Sequence, residues 1–146
     1  MIQGFGDISI SLAISAIGSA LGVSVAGQAA VGAWKRAYMN NKAAPFILVA
    51  FVGAPLSQTI YGMILRNAIM KANLPVEAAY PQMLLGLFAG IVIGLSAYIQ
   101  GKIGAKAADA LAETGQGFAN YIMAVGIIET VALFMMVFAM QGIPKL

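Results

Sequence analysis

The sequence predicts an all-α membrane protein, built from four transmembrane helices that are arranged as two tandem helical hairpins. Of its 146 residues, 61% are hydrophobic and only 9% are charged. A soluble domain of this size has too little interior to hide so much apolar side chain. The hydrophobic residues also form four runs of about 20 residues or more, the length that an α-helix needs to cross a bilayer.

The four runs are separated by short polar or charged stretches. The basic stretch 35–42 ends the first run, Pro45 suits the first turn of the second helix, and Pro144 follows the fourth run as a stop. We therefore expect helices at 8–34, 45–70, 80–108 and 117–142.

The two halves of the chain resemble two copies of one hairpin, 1–72 and 73–146. The first and third helices carry small residues at a spacing of four, which lets helix backbones approach closely in lipid. The second and fourth helices are bulkier, so we expect the first and third to form an inner layer. The small residues include Gly18, Gly22, Ala26, Gly86, Gly90 and Gly94.

The residues that the chain lacks, and its small net charge, argue against several classes of function. It has no Cys and no His, which removes thiol nucleophiles, imidazole bases and the metal sites built from them. The net charge of +3 is small and the basic residues lie in loops, which argues against nucleic-acid binding. No P-loop is present, so we expect no ATP site on this chain.

Orientation follows from the positions of Lys and Arg, which favour cytoplasmic loops. The first and third loops and their flanks carry more of these residues than the opposite side does. We therefore expect a multi-pass protein of the cell membrane, with both hairpin tips in the cytoplasm and both termini on the extracytoplasmic side.

Glu129 is the most informative residue, because it is an ionisable carboxylate inside the apolar run 121–140. A charge at the bilayer centre costs roughly 2.5–3.5 kcal/mol even on insertion scales. Residues that are this costly usually carry ions, protons or substrate. In the hairpin of helices three and four, Gln100 and Glu129 are equidistant from the tip, so we expect them at the same depth.

The second helix adds polar groups at Ser57, Gln58 and Tyr61, and Pro55 loosens its backbone hydrogen bonding. Taken alone, Gln100 is most simply explained as a residue that hydrogen-bonds to a neighbouring helix. Ser57 is explained in the same way as a serine that bonds to its own helix backbone, and Tyr61 as a packing residue. Together with Glu129 they form a set of hard oxygen ligands with one negative charge. This set of residues predicts a site that binds Na⁺ or a proton.

The chain resembles the c-type or K-type proteolipid, which is the rotor-ring subunit of V-type and archaeal-type rotary ATPases, in its sodium-binding subgroup. The resemblance rests on the duplicated hairpin, on the glycine-rich first and third helices, and on three local matches. These are Pro55, Ser57-Gln58 and Tyr61-Gly62 on the second helix, Gln100-Gly101-Lys102 on the third and Glu129-Thr130 on the fourth.

This resemblance implies a role for each residue of the site. Glu129, Gln58 and Gln100 would give side-chain oxygens to Na⁺, Ser57 a hydroxyl and Ala54 its backbone carbonyl. Tyr61 would hydrogen-bond the carboxylate and hold the site closed. The chain departs from the sodium pattern at three positions, with Ser57 in place of Thr, Leu56 in place of Gly and Ala54 in place of Leu. We expect Na⁺ rather than H⁺ as the transported ion, and no cofactor.

The resemblance also implies the partners. Identical copies would form a ring, a stator membrane subunit would supply an essential arginine, and central-stalk subunits would dock on the cytoplasmic loops near 35–42 and 108–116. Membrane lipids would surround the ring. The chain would then be a non-catalytic membrane subunit, with ATP bound elsewhere in the complex.

Two alternatives stay open from sequence. The first is a small four-helix proton-coupled multidrug exporter, whose acid usually lies in the first helix; here no acid lies between Asp7 and Trp34. The second is a non-transporting assembly subunit, which would not need Glu129 beside Gln58 and Gln100. Both predict that Na⁺ would not slow carbodiimide modification of Glu129.

Overall fold

Four membrane-length helices make up the fold in the computed structural model, which describes residues 5–144. No strand occurs within that range. Each helix is long and apolar enough to cross a membrane. They are α1 (Ile10–Met39), α2 (Phe46–Lys71), α3 (Val76–Thr114) and α4 (Phe118–Gln141). The predicted all-α membrane fold with two tandem hairpins is therefore confirmed.

The second helix is interrupted where Pro55 stands. Its α-helical segments Val49–Gly53 and Ser57–Lys71 are separated by a 3₁₀ turn, Ala54–Leu56. Proline has no N–H to donate and its ring crowds the preceding turn, so the regular α-helical ladder cannot pass through this point. The predicted loosening of the backbone lies at this turn.

Two helices are longer than the sequence predicts. The first ends at Met39 rather than at residue 34, and the third ends at Thr114 rather than at residue 108. The expected bounds were wrong because charged residues do not by themselves end a helix: Lys, Arg, Glu and Ala are all good helix formers. The third helix ends only where Gly115, at φ 67°, adopts the left-handed conformation that closes many helices.

The extended ends of α1 and α3 are tied together by an ion pair. Arg36 on α1 donates to the carboxylate of Asp109 on α3, at the exposed surface. Both residues were assigned to loops or their flanks from sequence, yet both are helical. The pair contributes little stability at an exposed site, but it shows that the two helices stay side by side up to these ends.

The predicted close approach of α1 and α3 is confirmed, because the two helices lie side by side and run parallel. Their position in an inner layer stays a prediction. Their backbones touch at glycines: a Cβ added at Gly18 would collide with the backbone of Gly94, and one added at Gly101 would collide with that of Gly22. Only residues without a side chain allow this approach, which increases van der Waals contact between helices in lipid.

The apolar core is divided into two clusters along the bundle axis. One surrounds Phe51 and the other surrounds Ile93. The polar residues Gln58 and Gln100 lie between them in sequence on α2 and α3, and both side chains are fully buried. A polar layer is thus enclosed by apolar side chains on both sides, which limits the access of water.

The predicted boundary between 1–72 and 73–146 lies in the short connection that follows Lys71. Because α1 of the first half packs most extensively on α3 of the second, the two halves share one core rather than folding as separate units. Their interpretation as two copies of one hairpin stays a prediction.

The close approach of α1 and α3 predicts a strong effect of Gly101→Ala. The added methyl would meet the backbone of Gly22, and overpacking of this kind costs about 1–3 kcal/mol. We expect a lower unfolding temperature in detergent and less folded protein in the membrane. Gly32→Ala is the matched control, since nothing lies within 4 Å of a Cβ at Gly32. Equal stability of the two variants would contradict the packing described.

Candidate ion-binding site

Glu129 lies midway along the 24-residue α4. At 1.5 Å per residue this places its backbone about 18 Å from either helix end. The carboxylate is half-buried and accepts two hydrogen bonds from other helices: the Tyr61 hydroxyl donates to Oε1 at 2.6 Å, and Nε2 of Gln100 donates to Oε2 at 3.2 Å. The predicted equal depth of Gln100 and Glu129 is therefore confirmed.

The two buried glutamines connect α2, α3 and α4. Nε2 of Gln58 donates to Oε1 of Gln100 at 2.8 Å. Nε2 of Gln100 donates to the carbonyl of Val125 at 3.0 Å as well as to Glu129. Both N–H groups of Gln100 thus have acceptors, and the bond between the two amides helps to fix the orientation of each.

Ser57 and Ala54 complete the polar group at the interruption of α2. The hydroxyl oxygen of Ser57 lies 3.1 Å from the carbonyl oxygen of Ala54 and 3.1 Å from Oε1 of Gln58. A hydroxyl has one proton, so it donates to one of these acceptors at a time. The 3₁₀ turn brings the Ala54 carbonyl and the Ser57 side chain to the same side, next to Gln58.

All six residues singled out from the sequence therefore belong to one continuous hydrogen-bond network. Among residues 5–144, no group of three or more Asp, Glu, His or Cys side chains is placed to hold a metal. The network offers one carboxylate and several neutral oxygens, and this donor set matches a monovalent hard cation or a proton. Which of the six bind the ion stays a prediction. They are Ala54, Ser57, Gln58, Tyr61, Gln100 and Glu129.

The carboxylate of Glu129 borders the apolar outer surface of the four-helix unit. Ile127 on α4, and Leu56 and Ile60 on α2, are each more than half exposed. In a membrane such side chains face lipid or a neighbouring protein. Glu129 thus lies near this surface, and the Tyr61 hydroxyl donates to its carboxylate from α2.

Ser96 is a contributor that the sequence reasoning missed. Its hydroxyl donates to the carbonyl of Ile128 at 2.8 Å, directly before Glu129. This bond joins α3 to α4 beside the carboxylate and helps to fix the rotation of α4. The only signal in the sequence was its position, four residues before Gln100 and so on the same face of the helix.

Asp7 was also missed, because it was assigned to an outer loop. Its side chain is fully buried and accepts from the backbone N–H groups of Ser9 and Ser11, at 3.0 and 2.9 Å, and from the Ser11 hydroxyl. It thus caps the start of α1. Arg66 donates to the Ser9 hydroxyl at 3.1 Å, which ties this cap to α2.

The second hairpin matches a known family. Residues 83–141 match the model of a family described as the C subunit of ATP synthase. The matched stretch includes most of α3 and all of α4, and hence Gln100 and Glu129.

No match was found among the curated proteins. The first hairpin, with Ser57, Gln58 and Tyr61, lies outside the matched stretch. Gln58 and Tyr61 nevertheless contact the matched half directly, through their hydrogen bonds to Gln100 and Glu129.

The bond from Tyr61 to Glu129 predicts the effect of Tyr61→Phe. A hydrogen bond to a charged group is worth about 1.5–3 kcal/mol, so without it the carboxyl should move away from α2 more often. We expect dicyclohexylcarbodiimide to modify Glu129 roughly tenfold faster, measured by mass spectrometry over time. Tyr38→Phe, at a residue 67% exposed, is the control and should leave the rate unchanged. An unchanged rate in Tyr61→Phe would mean that the hydroxyl does not hold the site closed.

Proposed function

We propose that this chain is the ion-carrying rotor-ring subunit of a rotary ATPase of V or archaeal type, and that it binds and translocates Na⁺ in preference to H⁺. The observation that carries the proposal is the half-buried Glu129 carboxylate in the middle of α4, bound by Tyr61 and Gln100. The family match over residues 83–141 supports the rotor role.

Sodium is favoured by the number of oxygens beside the carboxylate. A proton needs only Glu129 and a hydrogen-bond partner, which Tyr61 alone provides. The buried Gln58 and Gln100, together with Ser57, would then serve only to link the helices by hydrogen bonds. Na⁺ would use their oxygens, with the Ala54 carbonyl as a further ligand.

The mechanism follows from charge. An empty, ionised Glu129 is strongly disfavoured against lipid, whereas a carboxylate paired with Na⁺ or a proton is neutral. Identical copies in a ring would therefore move through lipid only when loaded. At the stator subunit, an essential arginine would compete for the carboxylate and release the ion.

The rest of the complex would meet the ring at its ends. Central-stalk subunits would dock on the cytoplasmic loops near 35–42 and 108–116, with both termini on the extracytoplasmic side. ATP would be bound by other subunits, so this chain is a non-catalytic part of the pump. One carboxylate on two hairpins carries one ion per chain, which lowers the ions moved per ATP and suits pumping.

The proton-coupled multidrug exporter is not favoured. The matched family is a rotor family, and the acid lies in α4 rather than in the first membrane helix. An exporter also needs a cavity for an organic substrate. Here the surroundings of Glu129 are filled by Tyr61 and the two glutamines.

Sodium binding predicts protection of Glu129 from carbodiimide. Membranes or purified protein would be treated with dicyclohexylcarbodiimide across a pH series, with Na⁺ or with equal choline, and the adduct at Glu129 quantified. We expect Na⁺ to slow labelling, because the reagent attacks the protonated carboxyl and Na⁺ competes with the proton.

The other results have distinct meanings. Labelling that depends on pH alone would contradict sodium coupling and favour protons. No labelling of Glu129 under any condition would count against the whole ion-carrier proposal. Choline at the same ionic strength controls for a general salt effect.

A second prediction concerns transport itself. Glu129→Gln keeps the size of the side chain but replaces one acceptor oxygen by an NH₂ donor and removes the negative charge that would pair with a cation. In the assembled complex we expect it to abolish ATP-driven Na⁺ uptake into vesicles. Glu77→Gln, in the 3₁₀ turn that begins α3, is the control that removes one carboxylate outside the network. Full uptake by the Glu129→Gln complex would overturn the proposed function.

A further inference from the structure

Ser19 is a polar residue of α1 that no hydrogen bond explains. Its hydroxyl oxygen is buried without a hydrogen-bond partner among the described residues, and the residue is only 2% exposed. The hydroxyls one and two turns earlier are both satisfied, because Ser15 donates to the carbonyl of Ser11 at 2.7 Å and Ser11 donates to Asp7. Buried hydroxyls are normally paired, so Ser19 needs an explanation.

The register between α1 and α2 places Ser19 at the level of the ion-binding network. The Ser15 side chain lies against Gly62, and Gly22 lies against Pro55. Residue numbers rise on α1 as they fall on α2, so the helices are antiparallel. Four residues after Ser15 on α1 is Ser19, and four residues before Gly62 on α2 is Gln58. Because a spacing of four keeps the same helix face, Ser19 faces α2 beside Gln58.

Gln58 has a matching unfilled capacity. Its carboxamide has two N–H groups and one oxygen. Oε1 of Gln100 accepts one N–H, and among the described residues no acceptor is found for the other. The side chain is fully buried, so water does not take that N–H freely. An unpaired donor on α2 and an unpaired hydroxyl on α1 thus lie at one level of the bundle.

We propose that Ser19 is a positioning residue of the ion site: when the ion binds, its hydroxyl oxygen, which has no partner within the described part of the chain, accepts the second N–H of Gln58 and so keeps Oε1 of Gln58 facing the ion. The inference rests on the proposed function, because it assigns Ser19 a role in ion affinity. With both N–H groups held, by Gln100 and by Ser19, the carboxamide has one orientation and its oxygen is directed at the network. The Ser19 proton is then free to bond back to the carbonyl of Ser15.

The test compares Ser19→Ala with Ser15→Ala in the assembled ring. Each variant removes one buried hydroxyl from the same face of α1, one turn apart. The measurement is the Na⁺ concentration that halves the carbodiimide labelling of Glu129. We expect Ser19→Ala to raise this Na⁺ concentration about threefold to tenfold, because a neutral hydrogen bond is worth a factor of this size. We expect Ser15→Ala to leave the Na⁺ concentration unchanged. Labelling without Na⁺ should be the same in both variants and in the parent protein.

An unchanged value in Ser19→Ala would overturn the proposal, as would an equal rise in both variants, which would indicate a packing effect. If Ser19→Ala gives no assembled ring, Ser19→Cys provides the same comparison, since the thiol has a similar shape but accepts hydrogen bonds weakly. An unchanged Na⁺ concentration in Ser19→Cys overturns the proposal too.

If the parent protein shows no protection by Na⁺, sodium coupling fails. Ser19 is then judged by the pH midpoint of Glu129 labelling, and an unchanged midpoint in Ser19→Ala overturns its role.

Discussion

The constraint on which this structure depends is the placement of one ionisable carboxylate half-way through a bilayer. Glu129 cannot be left ionised and unpaired there, because a charge at that depth costs several kcal/mol. Two other helices supply hydrogen-bond donors to the carboxylate, Tyr61 from α2 and Gln100 from α3. These neutral donors reduce the cost of the charge without cancelling it. Under the proposed function, the remaining cost favours a bound Na⁺ or proton that neutralises the carboxylate, which would give the subunit a loaded and an unloaded state.

The glycine contacts between α1 and α3 and the interruption of α2 both serve this site. Close packing at Gly18 and Gly101 lets α3 lie deep in the bundle, where Gln100 reaches both Gln58 and Glu129. At Pro55, the 3₁₀ turn directs the Ala54 carbonyl and the Ser57 hydroxyl towards the same point. The apolar clusters on both sides then keep this polar layer away from water, which strengthens each of its hydrogen bonds.

Much of this arrangement could be predicted from sequence, because a helical hairpin has a simple geometry. The distance from the tip fixes depth, and this was enough to place Gln100 beside Glu129. Proline chemistry was enough to locate the interruption of α2. The predictions failed where they used charge as a loop signal: Arg36 and Asp109 lie on helices, and Asp7 is buried as a helix cap. Ser96 and Ser19 could not be found either, because their roles depend on helix rotation, which small residues repeated at a spacing of four do not determine.

The presence of an amide at position 58 explains why the network holds one charge. If the halves are copies of one hairpin, Gln58 corresponds to Glu129, and a carboxylate there would lie within the same continuous set of hydrogen bonds. Two negative charges at that separation, deep in a membrane, repel strongly and would require two cations or a shared proton. An amide instead donates to Gln100 and accepts from Ser57, so it links the donors of α2 to the carboxylate of α4. Under the proposed function, an amide in place of a second acid leaves the two hairpins with one ion site: the first half adds no charge and would supply neutral oxygens to the second.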